Sequence, residues 1–202
     1  MKIDLREIKT SYINLNRHED RNSLMIKLKE DFGFVSYGRS EGIDKPNDLL
    51  SGCAASHYNI LSKSKGKTII LEDDCVINNN NPIVEVPDDT DALYLGLSEW
   101  GFKRDNSKPN NYIFSQHPNM PHLYKIDSML ATHAVLYLNN DFLKVCTQIA
   151  KYSMDNSVHI DQGFSRIQKY YNVYALANPI FYQSSNKDAT NIHFIKDRII
   201  PN

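Results

Sequence analysis

Apolar residues along this chain fall into short β-type runs and into helical stripes, and the two kinds alternate through the first half. Thr10 to Leu15 (TSYINL) has the β-branched and aromatic content of a strand. Arg17 to Phe32 carries Leu24, Leu28 and Phe32, with Met25, at helical spacing, and Gly33 supplies a helix stop. Phe34 to Tyr37 predicts a second strand, followed by a loop rich in Gly, Asp and Pro up to Leu50. Ser51 is placed to cap a helix whose Ala54, Tyr58 and Leu61 share a face. Thr68 to Leu71 is an apolar run that ends abruptly in three acids. Beyond the asparagine-rich turn at 78–81, Ala92 to Leu97 predicts another buried strand.

Ser98 to Pro121 breaks this rhythm. It is rich in Asn, Pro, Lys and Ser, with few apolar residues besides Trp100, Phe102, Ile113 and Phe114. A loop of that length inside one domain points to a mobile, functional segment. Regular patterns resume with a strand at His133 to Leu138 and helices from Asp141 to about Tyr152 and from Ile160 to Tyr170. In the second helix Ile160, Phe164 and Ile167 face one way. Short strands at Val173 to Leu176 and Ile180 to Tyr182 precede a polar tail. This order predicts an α/β domain with a mostly parallel central sheet flanked by helices.

Composition narrows the functional classes. The 202 residues fit one domain, and Lys plus Arg at 23 against Asp plus Glu at 24 leave a net charge of −1. That balance lacks the basic excess of a general nucleic-acid or anionic-membrane binder. An apolar fraction of 41% excludes a disordered chain. The longest apolar stretch, Ala134 to Leu138, is far short of a membrane span, and the charged start MKIDLREIK is no signal peptide. Cys53, Cys75 and Cys146 have no metal spacing and read as reduced thiols of a cytoplasmic protein.

The chemistry concentrates in Glu72, Asp73 and Asp74, which follow the apolar run directly. Three adjacent carboxylates repel one another, and a divalent cation such as Mn2+ or Mg2+ would offset that repulsion. Strand alternation continued through them sends Glu72 and Asp74 one way and Asp73 the other. In open α/β sheets ligands bind beyond the carboxyl ends of strands, where these acids lie. A solvated acidic turn is the plainer alternative. Mg2+-dependent phosphatases and phosphoacceptor domains also place acids at strand ends, usually after the first strand and not the third.

Four blocks in order carry a family resemblance. Tyr12 to Arg17 with Asp20-Arg21 resembles an "INLDRR..R" opening, and Gly52 to His57 resembles "GCALSH". Ile70 to Asp74 resembles "ILEDD", and Ala131 to Tyr137 resembles "GTHAYLIS". Weaker echoes are Asp91 to Gly96, Ile160-Asp161, and Asn178-Pro179 with Gln183. The chain thus resembles family 25 glycosyltransferases, which include lipooligosaccharide and procollagen galactosyltransferases. Asn16 stands where the family has Asp, and Ala131 replaces its glycine.

The resemblance implies a single GT-A domain over 1–202. Residues 1–97 would form a nucleotide-sugar-binding half, 98–121 a mobile loop and 122–202 an acceptor half. It also implies inverting transfer of a hexose, galactose or glucose, from a UDP-sugar to a glycan hydroxyl, with peripheral membrane contact only through a glycolipid acceptor. Asp74 and Glu72 would hold the metal, with His193 as a further ligand. Asn14, Arg17, Arg21, His57 and Asp73 would contact the nucleotide sugar. Arg offers bidentate anion recognition, although Arg17 and Arg21, a helical turn apart, could equally pair with Glu19 or Asp20. His57 and His133 could each be packing residues. Asp161 would be the general base, with Asp155 and Asp188 as alternatives, and its plainer role is favourable charge at a helix N-terminus. A catalytically silent nucleotide-sugar or glycan-binding module is the competing reading.

Overall fold

Local sequence decides most of the element boundaries in the computed structural model, which describes residues 1–97 and 113–185. Strand β1 (Lys2–Asp4) leads through a 3-10 turn into β2 (Lys9–Asn14), whose residues alternate exposed or half-buried with buried. Helix α1 (Glu19–Phe32) buries Met25, Leu28 and Phe32. Leu24, expected in that stripe, is 61% exposed, because it lies one position off the buried seam. Gly33 ends the helix at φ 84°, and its N–H reaches the Lys29 carbonyl at 2.9 Å. That left-handed backbone suits a residue without a Cβ.

The next strand, β3 (Tyr37–Glu41), begins where the predicted strand at 34–37 was to end. Phe34 is buried instead as a packing residue of the connection, stacked near Tyr37 and Phe32. Helix α2 (Leu49–Leu61) starts earlier than predicted. Asp48, not Ser51, is its cap, accepting from the Ser51 N–H at 3.0 Å. Strands β4 (Thr68–Glu72), β5 (Cys75–Ile77), β6 (Ile83–Glu85) and β7 (Ala92–Tyr94) follow. The end of the segment predicted as loop is in fact a β-hairpin, β8 (Ile113–His117) and β9 (Met120–Ser128). Trp100 and Phe102 lie outside the described residues, as does the remainder of that loop. The chain then forms β10 (Ala134–Tyr137), α3 (Asn140–Asn156), α4 (Ile160–Ile167), β11 (Val173–Leu176) and β12 (Phe181–Gln183).

The central sheet has the order β3-β2-β4-β10-β7-β11-β9-β8. The α/β architecture is as expected, but the sheet is mixed and not mostly parallel. Pairing is parallel within β3-β2-β4 and between β7 and β11. It is antiparallel where β10 inserts between β4 and β7, and through β11-β9-β8. Strand direction at β10 is a long-range property that no local pattern encodes. Two further two-stranded sheets, β1-β6 and β12-β5, are separate from it.

Successive residues of the central strands point to opposite faces, and each face has its own apolar cluster. Ile70, Ala92, Tyr94 and Val135 pack with Phe142, Cys146, Ile160 and Phe164 of α3 and α4. Ile69, Leu71, Leu93 and Leu136 pack with Met25, Leu28 and Phe32 of α1. Among the described residues no helix is long and apolar enough to cross a membrane.

Candidate active site at the acidic strand end

β2 and β4 run parallel in the register Ile13↔Glu72, so Asn14 and the acidic residues leave the sheet at the same edge. The strand stops at Glu72, and Asp73 and Asp74 form a turn. The expected alternation therefore does not extend through the acids, and each carboxylate meets a different set of partners.

Glu72 accepts a hydrogen bond from Thr132 Oγ1 at 2.7 Å and pairs with His57 Nε2 at 3.1 Å. Burial would raise the Glu72 pKa, but His57 and Thr132 hold it down at about 2. Burial likewise disfavours charge on His57, yet Cys53 and the Glu72 carboxylate carry it up to about 10. Both shifts favour the ion-paired form of this contact, which sets a buried His57 against a half-buried Glu72 on the wall between α2 and β4.

Asp73 accepts from Arg21 Nη1 at 2.9 Å on one oxygen and from Asn14 Nδ2 at 2.8 Å on the other. Arg21 therefore reaches across to the acidic turn and not to its helix neighbours. Arg17 pairs with Asp44.

Asp74 is the least compensated of the three. Its Oδ2 accepts from Gln183 Nε2 at 3.2 Å, while its buried Oδ1 has no hydrogen-bond partner among the described residues. Burial, with the Glu72 and Asp73 charges behind it, pushes its pKa up to about 6. An orphaned carboxylate oxygen beside two other anions suits a cation. No group of three or more His, Cys, Asp or Glu among the described residues forms a complete metal cage. That donor set still fits Mg2+ or Mn2+, since such ions commonly take one or two carboxylates and fill the remaining positions with substrate phosphates and water.

Two clefts meet at Glu72, just before this turn; Asp73 lines only the first, and Asp74 lines neither. The first, about 650 Å³ with its open mouth, is lined by Asn14, Arg17, Arg21, His57 and Asp73. The second, about 680 Å³, is lined by Thr132, Asp161, Gln183 and Ala131. Glu72 and Cys53 belong to both. Asp161 sits in the first turn of α4, where burial raises its pKa and the Gln162 and Ala131 backbone N–H groups partly oppose the rise.

Asp155 lines neither cleft. It is exposed and paired with Lys151 at 2.8 Å. His133 is a packing residue: its buried ring lies against Gly96, neither nitrogen has a partner among the described residues, and burial pushes its pKa down to about 4. Asp188 and His193 lie outside the described residues. Asn14, Arg21 and His57, expected as nucleotide-sugar contacts, hold Asp73 and Glu72 here, whereas the other two partners of the acids, Thr132 and Gln183, were missed. Thr132 lay within a recognised block and Gln183 within a weaker one, so both were within reach. Arg39, which donates to Asn14, had no signal.

No protein-family model matches the chain, and neither does any curated protein. Solved structures do resemble it in chain path. A glycosyltransferase involved in glycosylation of the major capsid of PBCV-1 is 10% identical, over 94% of this chain and 98% of that one, with a TM-score of 0.46. A Drosophila β-1,4-galactosyltransferase 7 variant, solved with manganese, UDP-Gal and xylobiose, is 13% identical over 95% and 74%, with a TM-score of 0.45. The CTP:phosphocholine cytidylyltransferase of Streptococcus pneumoniae is 13% identical over 95% and 76%, with a TM-score of 0.44.

Proposed function

We propose that the chain is a metal-dependent, inverting glycosyltransferase of the GT-A type, akin to family 25. It would move a hexose, galactose or glucose, from a UDP-sugar to a glycan or glycoconjugate hydroxyl. The observation that carries this reading is Glu72, at the head of the acidic turn, shared by two clefts, one lined by arginines and the other by the half-buried Asp161.

In this reading the donor diphosphate lies in the first cleft, where Arg21 and Arg17 supply planar cationic donors and Asn14 closes the floor. Asp74 and Glu72 would hold Mn2+ or Mg2+, with His193 as a third ligand by resemblance alone. The metal, when bound, supplies charge neutralisation for the departing diphosphate. His57 keeps Glu72 ionised and fixed at the boundary. The acceptor enters by the second cleft, and Asp161 takes the proton from its hydroxyl as that oxygen attacks the anomeric carbon. Inversion needs acceptor and leaving group on opposite sides of the sugar, and clefts that meet at Glu72 and Cys53 suit that arrangement. A phosphoaspartate mechanism is less well served, because Asp73 is held by Arg21 and Asn14 and the free Asp74 oxygen is buried.

Two isosteric variants test the proposal. Asp74→Asn should abolish Mn2+-dependent UDP binding and turnover together. Asp161→Asn should bind UDP and Mn2+ normally while transfer falls by roughly 10²–10⁴-fold. Calorimetry and a sugar-transfer assay with UDP-galactose and UDP-glucose check both. Transfer by Asp161→Asn near the wild-type rate would remove Asp161 as the base.

A further inference from the structure

Asn14 is 1% exposed, and its carboxamide is fully engaged. Nδ2 donates to the His18 carbonyl at 3.0 Å and to Asp73 Oδ2 at 2.8 Å, so both amide hydrogens have acceptors. Oδ1 accepts from Arg39 Nε at 2.9 Å. A primary amide can be turned end for end at little steric cost, and only its partners choose between the two orientations. Reversed, the oxygen would face a carboxylate and a carbonyl, and the NH2 would face a guanidinium. The Asp73 carboxylate and the His18 carbonyl only accept and Arg39 only donates, so all three admit the same orientation, and Arg39 is the partner that holds its oxygen side.

Arg39 is itself anchored. Its Nη2 lies 2.6 Å from Asn16 Oδ1 and 3.4 Å from the Asn14 carbonyl, and Asn16 donates onward to Glu41. The parallel register Tyr12↔Arg39 puts the guanidinium beside Asn14. Arg39 lines a polar groove with Asn16, Glu19 and Asn22 and does not line the arginine-bearing cleft. Its direct link to a residue lining that cleft is the hydrogen bond to Asn14.

We propose that Arg39 is a positioning residue for the acidic turn, locking the Asn14 amide so that Asp73 stays clamped between Asn14 and Arg21. The orientation of Asn14 stands on geometry alone, and the consequence for ligand binding rests on the function proposed above. Arg39 is exposed, so Arg39→Met, which keeps length and removes every donor, should leave the fold intact. Arg39→Gln, which retains an amide donor, is the second variant.

The first arm needs no ligand. In wild type the Asn14 side-chain amide should give two resolved, slowly exchanging NMR signals. Arg39→Met should shift them and speed their exchange, and Arg39→Gln should do so less. The second arm measures UDP affinity with Mn2+. Arg39→Met should weaken it by roughly tenfold, about the worth of one hydrogen bond to a charged group, and should add no further loss in an Asn14→Ala background. Unchanged Asn14 amide signals in both Arg39 variants would overturn the proposal. So would an equal loss of affinity from Arg39→Met with and without Asn14. If wild type binds no UDP with Mn2+, the proposed function fails, and the amide signals alone decide the orienting role of Arg39.

Discussion

Ala131 has φ 95°, a left-handed backbone that L residues rarely adopt, and it lies at the rim of the cleft that holds Asp161. A glycine would adopt that angle without the Cβ penalty. Ala131→Gly should raise the unfolding free energy by about 1 kcal/mol, since relief of the strained angle outweighs the added freedom of the unfolded chain; urea denaturation checks this. Asp161 carries a second expectation at the same scale. Burial raises its pKa above the usual 3.8 of an aspartate, and a base must be ionised to act. Transfer should therefore be lost as pH falls through a limb lying above that value and be retained above it. A pH profile of kcat/KM checks this, and the residual activity of Asp161→Asn should lack the limb.

At the scale of elements, legibility followed the amount of apolar surface each element buries for itself. β2, α1 and α4 carry their own period, β4 and β10 are unbroken apolar runs, and all five stood out in the sequence. β1, β5 and β6 are three-residue strands with no longer apolar run around them, unlike the equally short β7, which lies in the run Ala92 to Leu97. The β8–β9 hairpin was hidden because its register shifts twice and its burial does not alternate regularly. The site divides the same way. Three neighbouring acids are visible in one line of sequence, whereas Arg39 with Asn14, Thr132 with Glu72 and Gln183 with Asp74 span 25, 60 and 109 positions. Contact between β7 and β10 shows how tightly such distant pieces fit. A Cβ on Gly96, just beyond β7, would stand 1.9 Å from His133 Nε2. Gly96→Ala should thus cost about 1–3 kcal/mol through overpacking. In a His133→Ala background most of that cost should disappear, and a double-mutant cycle by denaturant unfolding measures the coupling. An equal cost in both backgrounds would mean that His133 is not what Gly96 makes room for.

For the whole molecule, the three thiols report separately on core and cleft. Cys75 is 5% exposed and donates to the His133 carbonyl, and Cys146 is 0% exposed between the sheet and α3. Burial pushes both thiols well up, so the reactive thiolate is scarce as well as shielded. Cys53 is exposed on α2, on the wall common to the two clefts. Ellman's reagent should accordingly react with one thiol quickly in the native protein and with the other two only as the chain unfolds. Cys53→Ser should remove the fast phase alone. Because Cys53 borders the clefts assigned to donor and acceptor, UDP with Mn2+ should slow that phase, and Mn2+ without nucleotide should not. Three thiols reacting together under native conditions would contradict the packing on both faces of the sheet. A fast phase untouched by saturating UDP and Mn2+ would place the nucleotide away from the α2 wall.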